Sequence, residues 1–230
     1  MILATLIAAA VAAAAPGPIC ANVVTPDAMV CRALQAQKAG NSEEAAQGFE
    51  EAARASSDKD VGTARLWAAA GNMWIAAGQP GKAAIDLDKA LALPGLEGEQ
   101  RGETLLDRAR SAEAQNDLKT ARAKLTEASA SIPDDPFYWY FSAALAIREG
   151  DAATAQSSIG QALKLAPADP TILFEAGHVA HFVGEEAKAR YYWQRAASLD
   201  ASGATGKAAR DALAMLPVPA TVTQQPPKTK

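Results

Sequence analysis

His178 and His181 are the only imidazoles in the chain, and they lie three residues apart. On a helix that spacing puts both rings on one face. There they suit a metal, a small ligand, or a binding groove whose charge changes near neutral pH. A metal needs two further ligands, and the sequence places no cysteine or acidic cluster beside the pair, so a groove-lining role is expected. The rival is a metal- or small-ligand-binding protein, or an enzyme, that uses the two histidines. Neighbouring carboxylates at Glu43-Glu44, Glu50-Glu51 and Glu185-Glu186 have the composition of an acid–base pair. Their placement in turns and early helical positions favours solvated faces that complement the helix dipole. Gly78-Gln79-Pro80-Gly81-Lys82 has the outline of a phosphate loop, but Ala83 stands where that loop needs Ser or Thr. No nucleophile–histidine–acid set, metalloprotease motif or dinucleotide fingerprint occurs. The expectation is therefore a protein without catalytic residues, cofactor or metal.

Cys20 and Cys31 are the only cysteines. In an oxidising compartment a disulfide between them would pin the proline-containing N-terminal segment to the first helix. Two unpaired thiols, or loss of Cys20 by cleavage after Ala21, are the alternatives. Met1 to Ala15 carries no charged side chain and is too short to span a bilayer. Followed by small residues, it reads as the apolar part of an export signal over 1–14, cut before Ala15. No Lys or Arg precedes it, so the amino terminus alone supplies the positive charge or the true start lies upstream. The expected location is periplasmic or secreted, or cytoplasmic if the segment is not a signal.

The elements that position these residues are written in an alanine ladder. Ala45, Ala83, Ala121, Ala155 and Ala189 recur at intervals of 38, 38, 34 and 34 residues. Each is followed four residues on by Phe49, Leu87, Leu125, Ile159 or Trp193, and three later by another alanine. A period near 34 marks a stacked array of helical units. Just before each ladder alanine stands Gly40, Gly78, Asn116, Gly150 or Gly184, residue types that accept the left-handed conformation ending a helix. Asp135-Pro136 and Asp169-Pro170 place a capping carboxylate ahead of a first-turn proline, while Pro133 and Pro167 close the preceding helices.

This pattern resembles the tetratricopeptide repeat family. The fourth copy carries it in Trp139, Ala143, Gly150, Ala155, Ile159, Ala162 and Pro167. The second carries it in Trp67, Gly71, Trp74, Gly78, Ala83, Leu87 and Ala90, and the fifth in Leu173, Gly177, Gly184, Ala189, Trp193 and Ala196. The third has Leu105, Ala109, Ala121, Leu125, Ala128 and Pro133. The first, with Met29, Ala33, Ala36, Ala45, Phe49 and Ala52, lacks the aromatic. The resemblance implies an all-α, right-handed α-solenoid of about five helix-turn-helix repeats at 26–59, 64–97, 102–135, 136–169 and 170–203. An N-terminal segment at 15–25 precedes them. A capping helix at 204–216 and a disordered Pro/Thr/Gln/Lys tail at 217–230 follow. Four extra residues after each of the first two copies, around 57–60 and 94–97, predict longer connections or an extra helical turn. The four tryptophans are expected to pack.

In this family the first helices line a concave groove for extended peptides or partner proteins. The resemblance projects Val30 and Leu34, then Arg65, Ala68 and Asn72, then Leu106, Arg110 and Glu113 onto that face. Phe137, Tyr140, Ala144 and Ile147 follow, and Thr171, Phe174, His178 and His181 complete it. The aromatic end would anchor apolar side chains. Arg65, Asn72 and Arg110 would hold a backbone or a carboxylate. Relatives that clamp a carboxylate tail use a lysine and an asparagine where this chain has Val30 and Leu34, so that specificity is not implied. Phe137 and Phe174 packing against the neighbouring copy is the alternative. The formal net charge of −4 across 230 residues argues against broad nucleic-acid binding. A protein or extended peptide is the expected partner, with no stable membrane span after cleavage and homo-oligomerisation open.

Overall fold

The computed structural model describes residues 20–217. The expected leader over 1–14, its cleavage site, and the tail after Pro217 lie outside the described residues. Eleven helices and no strand make up the described chain. They come in antiparallel pairs: α1 (Pro26–Lys38) with α2 (Ser42–Ala55), α3 (Val61–Ala76) with α4 (Pro80–Ala92), and α5 (Gly98–Ala114) with α6 (Leu118–Ala128). Then come α7 (Pro136–Glu149) with α8 (Ala152–Leu165) and α9 (Pro170–Phe182) with α10 (Glu186–Leu199), and α11 (Ala204–Met215) closes the row. Each helix packs on its successor, and α3, α5, α7 and α9 also touch one another in turn, whereas the second helices make no comparable contact with each other. That crowding makes the first-helix side the inner side of an all-α solenoid.

Local chemistry sets the boundaries. Gly40, Gly78, Gly150 and Gly184 have φ of 81°, 69°, 77° and 80°, and Asn116 has φ 62°. Every intra-repeat turn therefore uses the left-handed conformation that its residue type permits. Asp60, Asp135 and Asp169 cap α3, α7 and α9 through hydrogen bonds accepted from Gly62, Phe137 and Thr171 amides at 2.8 Å. The four-residue insertions go partly into the connections and partly into helix. Val61 and Gly98 begin α3 and α5 a turn earlier than Pro136 and Pro170 begin α7 and α9. Asp60 sets the earlier start of α3, because no proline fixes the first turn there.

The core is a row of five clusters: two join the first and second repeats, one joins the third and fourth, one the fourth and fifth, and one the fifth and α11. The ladder alanines Ala45, Ala83, Ala121, Ala155 and Ala189 are wholly buried, with Leu87, Leu125 and Trp193 filling the space beside them. Close approach is enforced at two glycines. A Cβ on Gly71 would stand 2.4 Å from the Leu87 side chain, and one on Gly177 would stand 2.2 Å from the Trp193 indole nitrogen. Trp67, Trp74 and Trp193 are buried as expected. Trp139 is only partly so, bridging two clusters while its indole donates to the Pro133 carbonyl at 2.7 Å.

At the N-terminal end Cys20 and Cys31 form a disulfide, with their α-carbons 5.7 Å apart. Arg32 Nη1 donates to the Ala21 and Val23 carbonyls at 2.9 and 3.3 Å and holds the same segment. At the other end α11 lies on Leu173, Trp193 and Ala196, and Arg190 donates to the Pro217 carbonyl at 2.6 Å. No described helix is long and apolar enough to cross a membrane.

Candidate binding groove

The inner face is formed by α1, α3, α5, α7 and α9, and three clefts open along it. The first, of about 380 Å³, lies between α1, α3 and α5 with Leu34, Phe49, Ala68 and Met73 as apolar wall and Asn72, Glu103 and Asp107 as polar rim. The second, of about 540 Å³, lies at the start of α5 and α7, among Glu99, Glu103, Ile132, Asp134, Asp135 and Phe137. The third, of about 300 Å³, lies between α7 and α9 and is lined by Ala144, Ile147, Glu175, His178, His181 and Phe182. The third, with mostly apolar walls and few polar groups, has the usual form of a binding site, while the first is mixed and the second is rimmed by carboxylates.

The aromatic end has more structure than the sequence shows. Phe137 is 48% exposed and meets Tyr140 edge-on, with ring centroids 6.3 Å apart. Tyr140 is partly buried against the clusters on both sides. Burial, helped by the nearby Glu175 carboxylate, raises its hydroxyl above the usual range. Phe174 packs toward the Trp193 cluster, its carbonyl accepts the Trp193 indole N–H at 3.0 Å, and its ring stacks edge-on to His178 at 4.3 Å. It serves the scaffold more than the groove. Ile147 lines the third cleft as half-buried wall.

Each histidine has a single acidic neighbour. His178 Nδ1 lies 3.3 Å from Glu175, and His181 Nδ1 lies 2.9 Å from Glu186. Each ring takes its own carboxylate and both stand beside the Trp193 indole. No group of three metal-ligating side chains comes together among the described residues.

The central polar residues are engaged with each other. Asn72 Nδ2 donates to Asp107 Oδ2 at 2.7 Å, and Arg110 Nη1 donates to Asp107 Oδ1 at 2.8 Å. A carboxylate arriving here would meet Asp107 first. Arg65 stays exposed on α3. Arg148, at the end of α7, binds the Glu113 carboxylate and donates to Asn116 Oδ1 at 2.7 Å. It thereby ties the turn of the third repeat to the fourth.

Glu103, Glu175 and Phe182 are further groove residues, and the ladder register points to the first. Glu103 follows Arg65 by 38 residues and precedes Phe137 by 34. Glu175 gave no signal, because a carboxylate 7% exposed on an inner helix departs from the rule that such groups stay in water.

A second polar cluster lies behind the groove, where Glu50 meets Asp86. Glu50 was read as part of a solvated pair but accepts the Trp74 indole N–H at 2.6 Å and binds Arg54. Burial alone would raise the Glu50 carboxyl, but hydrogen bonds from Trp74 and Asp86 and the Arg54 charge outweigh it and hold it below the usual range. Asp86 is 2% exposed. Burial, with Glu50 adding to it and Lys89 opposing, pushes Asp86 up to about 6. Asp86 Oδ2 is buried and has no hydrogen-bond partner, which disfavours its charged form.

No protein-family model matches the sequence, and no curated protein matches it significantly. Solved structures do match the fold. PilW, described as a widely conserved type IV pilus biogenesis factor, superposes with a TM-score of 0.66 at 17% identity, over 80% of this chain and 81% of its own. YrrB, described as a TPR protein with an unusual peptide-binding site, gives 0.57 at 17% identity over 83% and 94%. The Pseudomonas aeruginosa protein pilF gives 0.60 at 20% identity over 82% and 87%. The fold is thus that of a tetratricopeptide-repeat solenoid, with an inner face carrying open clefts of apolar and acidic side chains.

Proposed function

We propose that this protein is an exported, non-enzymatic scaffold that holds an extended peptide segment of a partner protein along its inner face. The observation that carries this reading is the exposure of Leu34, Phe137 and Phe182, at 51%, 48% and 39%, in clefts on that face. Large apolar side chains left in water along a concavity gain free energy when a partner covers them, roughly 25 cal/mol per Å² removed from solvent. YrrB, whose fold is similar, is described as having a peptide-binding site, which supports the same use here. Export is supported by the apolar, uncharged first 15 residues and by the Cys20–Cys31 disulfide, a bond that persists in oxidising compartments.

The test removes exposed groove side chains while leaving the packed ones. Phe137→Ala with Phe182→Ala is expected to leave the helical melting midpoint within a few degrees of the parent. Crosslinking of the tagged protein to its partner in intact cell envelope should fall about thirtyfold, as two anchor residues of ~1 kcal/mol each would give. Equal crosslinking by parent and variant would remove the groove assignment. Export is checked separately by mass spectrometry of the N-terminus and thiol alkylation in fractionated cells. An intact Met1 and free thiols in the cytoplasmic fraction would count against it.

A further inference from the structure

The inner face has apolar walls, but its charge is one-sided. Glu99, Glu103 and Asp134 rim the second cleft and make no hydrogen bond or ion pair, while Asp135 beside them caps α7. Burial together with the negative charges of Glu99, Asp135 and Asp107 raises the Glu103 carboxyl. Of the arginines on this face, Arg110 is engaged by Asp107 and Arg148 by Glu113, leaving Arg65. Glu103 rims the first cleft as well as the second, so the surplus negative charge is continuous with the apolar wall at Leu34 and Met73. Phe137 stands at the edge of the same carboxylates with an exposed ring.

We propose that the segment held in the groove is cationic: an extended peptide that sets a Lys or Arg side chain among Glu99, Glu103 and Asp134, its aliphatic stem on Phe137. The inference rests on the groove reading above and specifies the partner's chemistry. Three physical terms favour this occupant. An incoming ammonium or guanidinium relieves the mutual repulsion of carboxylates that have no counter-charge in the free protein. Its methylenes cover apolar surface. The Phe137 ring offers a negative face to the cation. An acidic segment would add to the repulsion and meet Asp107 in place of a free arginine.

The experiment exposes the full chain to a randomised decapeptide library and sequences the bound fraction. The parent is expected to enrich Lys and Arg several-fold over input at one or two positions, with enrichment fading at high salt. Glu99→Gln, Glu103→Gln, Asp134→Asn together should return Lys and Arg to input frequency without lowering the melting midpoint, since none of the three has a partner to lose. Phe137→Ala with Phe182→Ala should deplete all bound peptides. If bound peptides are neutral or acidic yet still depend on Phe137 and Phe182, the groove reading stands and the cationic preference is overturned. If bound peptides depend on neither set of residues, or none are retained, both fall. Salt-insensitive enrichment of Lys and Arg that survives the triple substitution also overturns the assignment.

Discussion

Burying the Asp86 carboxyl beside Glu50 makes part of the stability depend on pH with a sign opposite to that of most carboxylates. The folded-state value of about 6 lies above the ordinary value near 3.9, so the folded chain holds a proton that the unfolded chain has released. The contribution is fully present below pH ~4 and is lost as pH rises through about 6. Asp86→Asn keeps the shape and supplies a permanent N–H toward Glu50. The variant should lose this slope between pH 4 and 6, and near pH 7.5 should be at least as stable as the parent, by up to ~2 kcal/mol, in paired urea titrations. A parent-minus-variant difference that is flat across the window would contradict the shared-proton account. Trp193 gives the second residue-scale expectation. Gly177→Ala drives a methyl into a ring that is 3% exposed and should cost about 1–3 kcal/mol, read from chemical denaturation. Gly177 belongs to the repeat pattern legible in the sequence, but the tie of the indole to the Phe174 carbonyl does not.

Among the helices, α8 contains an interior glycine with no evident packing reason. A Cβ on Gly160 meets nothing within 4 Å, so Gly160→Ala should raise stability by roughly 0.5–1 kcal/mol through helix propensity and unfolded-chain entropy. A lowered midpoint would contradict this account of Gly160. The disulfide acts at the N-terminal end, tying the segment at Cys20 to α1. Reducing it should cost about 2–3 kcal/mol by loop entropy, with hydrogen exchange increasing in α1 and α2 and little change from α5 onward. Helices were the most legible level of the sequence, because Gly40, Gly78, Asn116, Gly150 and Gly184 announce their ends by residue type. The groove was less so. Arg110 and Asn72 look like a carboxylate clamp when read singly, and only the fold brings Asp107 between them. Glu50 likewise reads as exposed until Trp74 is placed against it. Side-chain partnerships across repeats depend on the rotation between neighbours, which no local pattern encodes.

For the molecule as a whole, stability is divided among junctions that each join one repeat to the next, as in a one-dimensional array. Deleting 204–217 uncovers Trp193 and Leu173 and should unfold α9 and α10 at a lower temperature than the rest. Two calorimetric transitions would then replace one, and a single transition at the parent midpoint would mean that α11 is dispensable. The spacing of the described inner helices has a further consequence. Five of them side by side set a length. Four interaxial steps of about 8–10 Å span roughly 30–40 Å, the contour of about ten to twelve extended residues. The clefts at Leu34 and at Phe182 are the first and last graduations on that scale. Under the proposed function, a segment half as long would not reach both, and length would select partners before side chains are read.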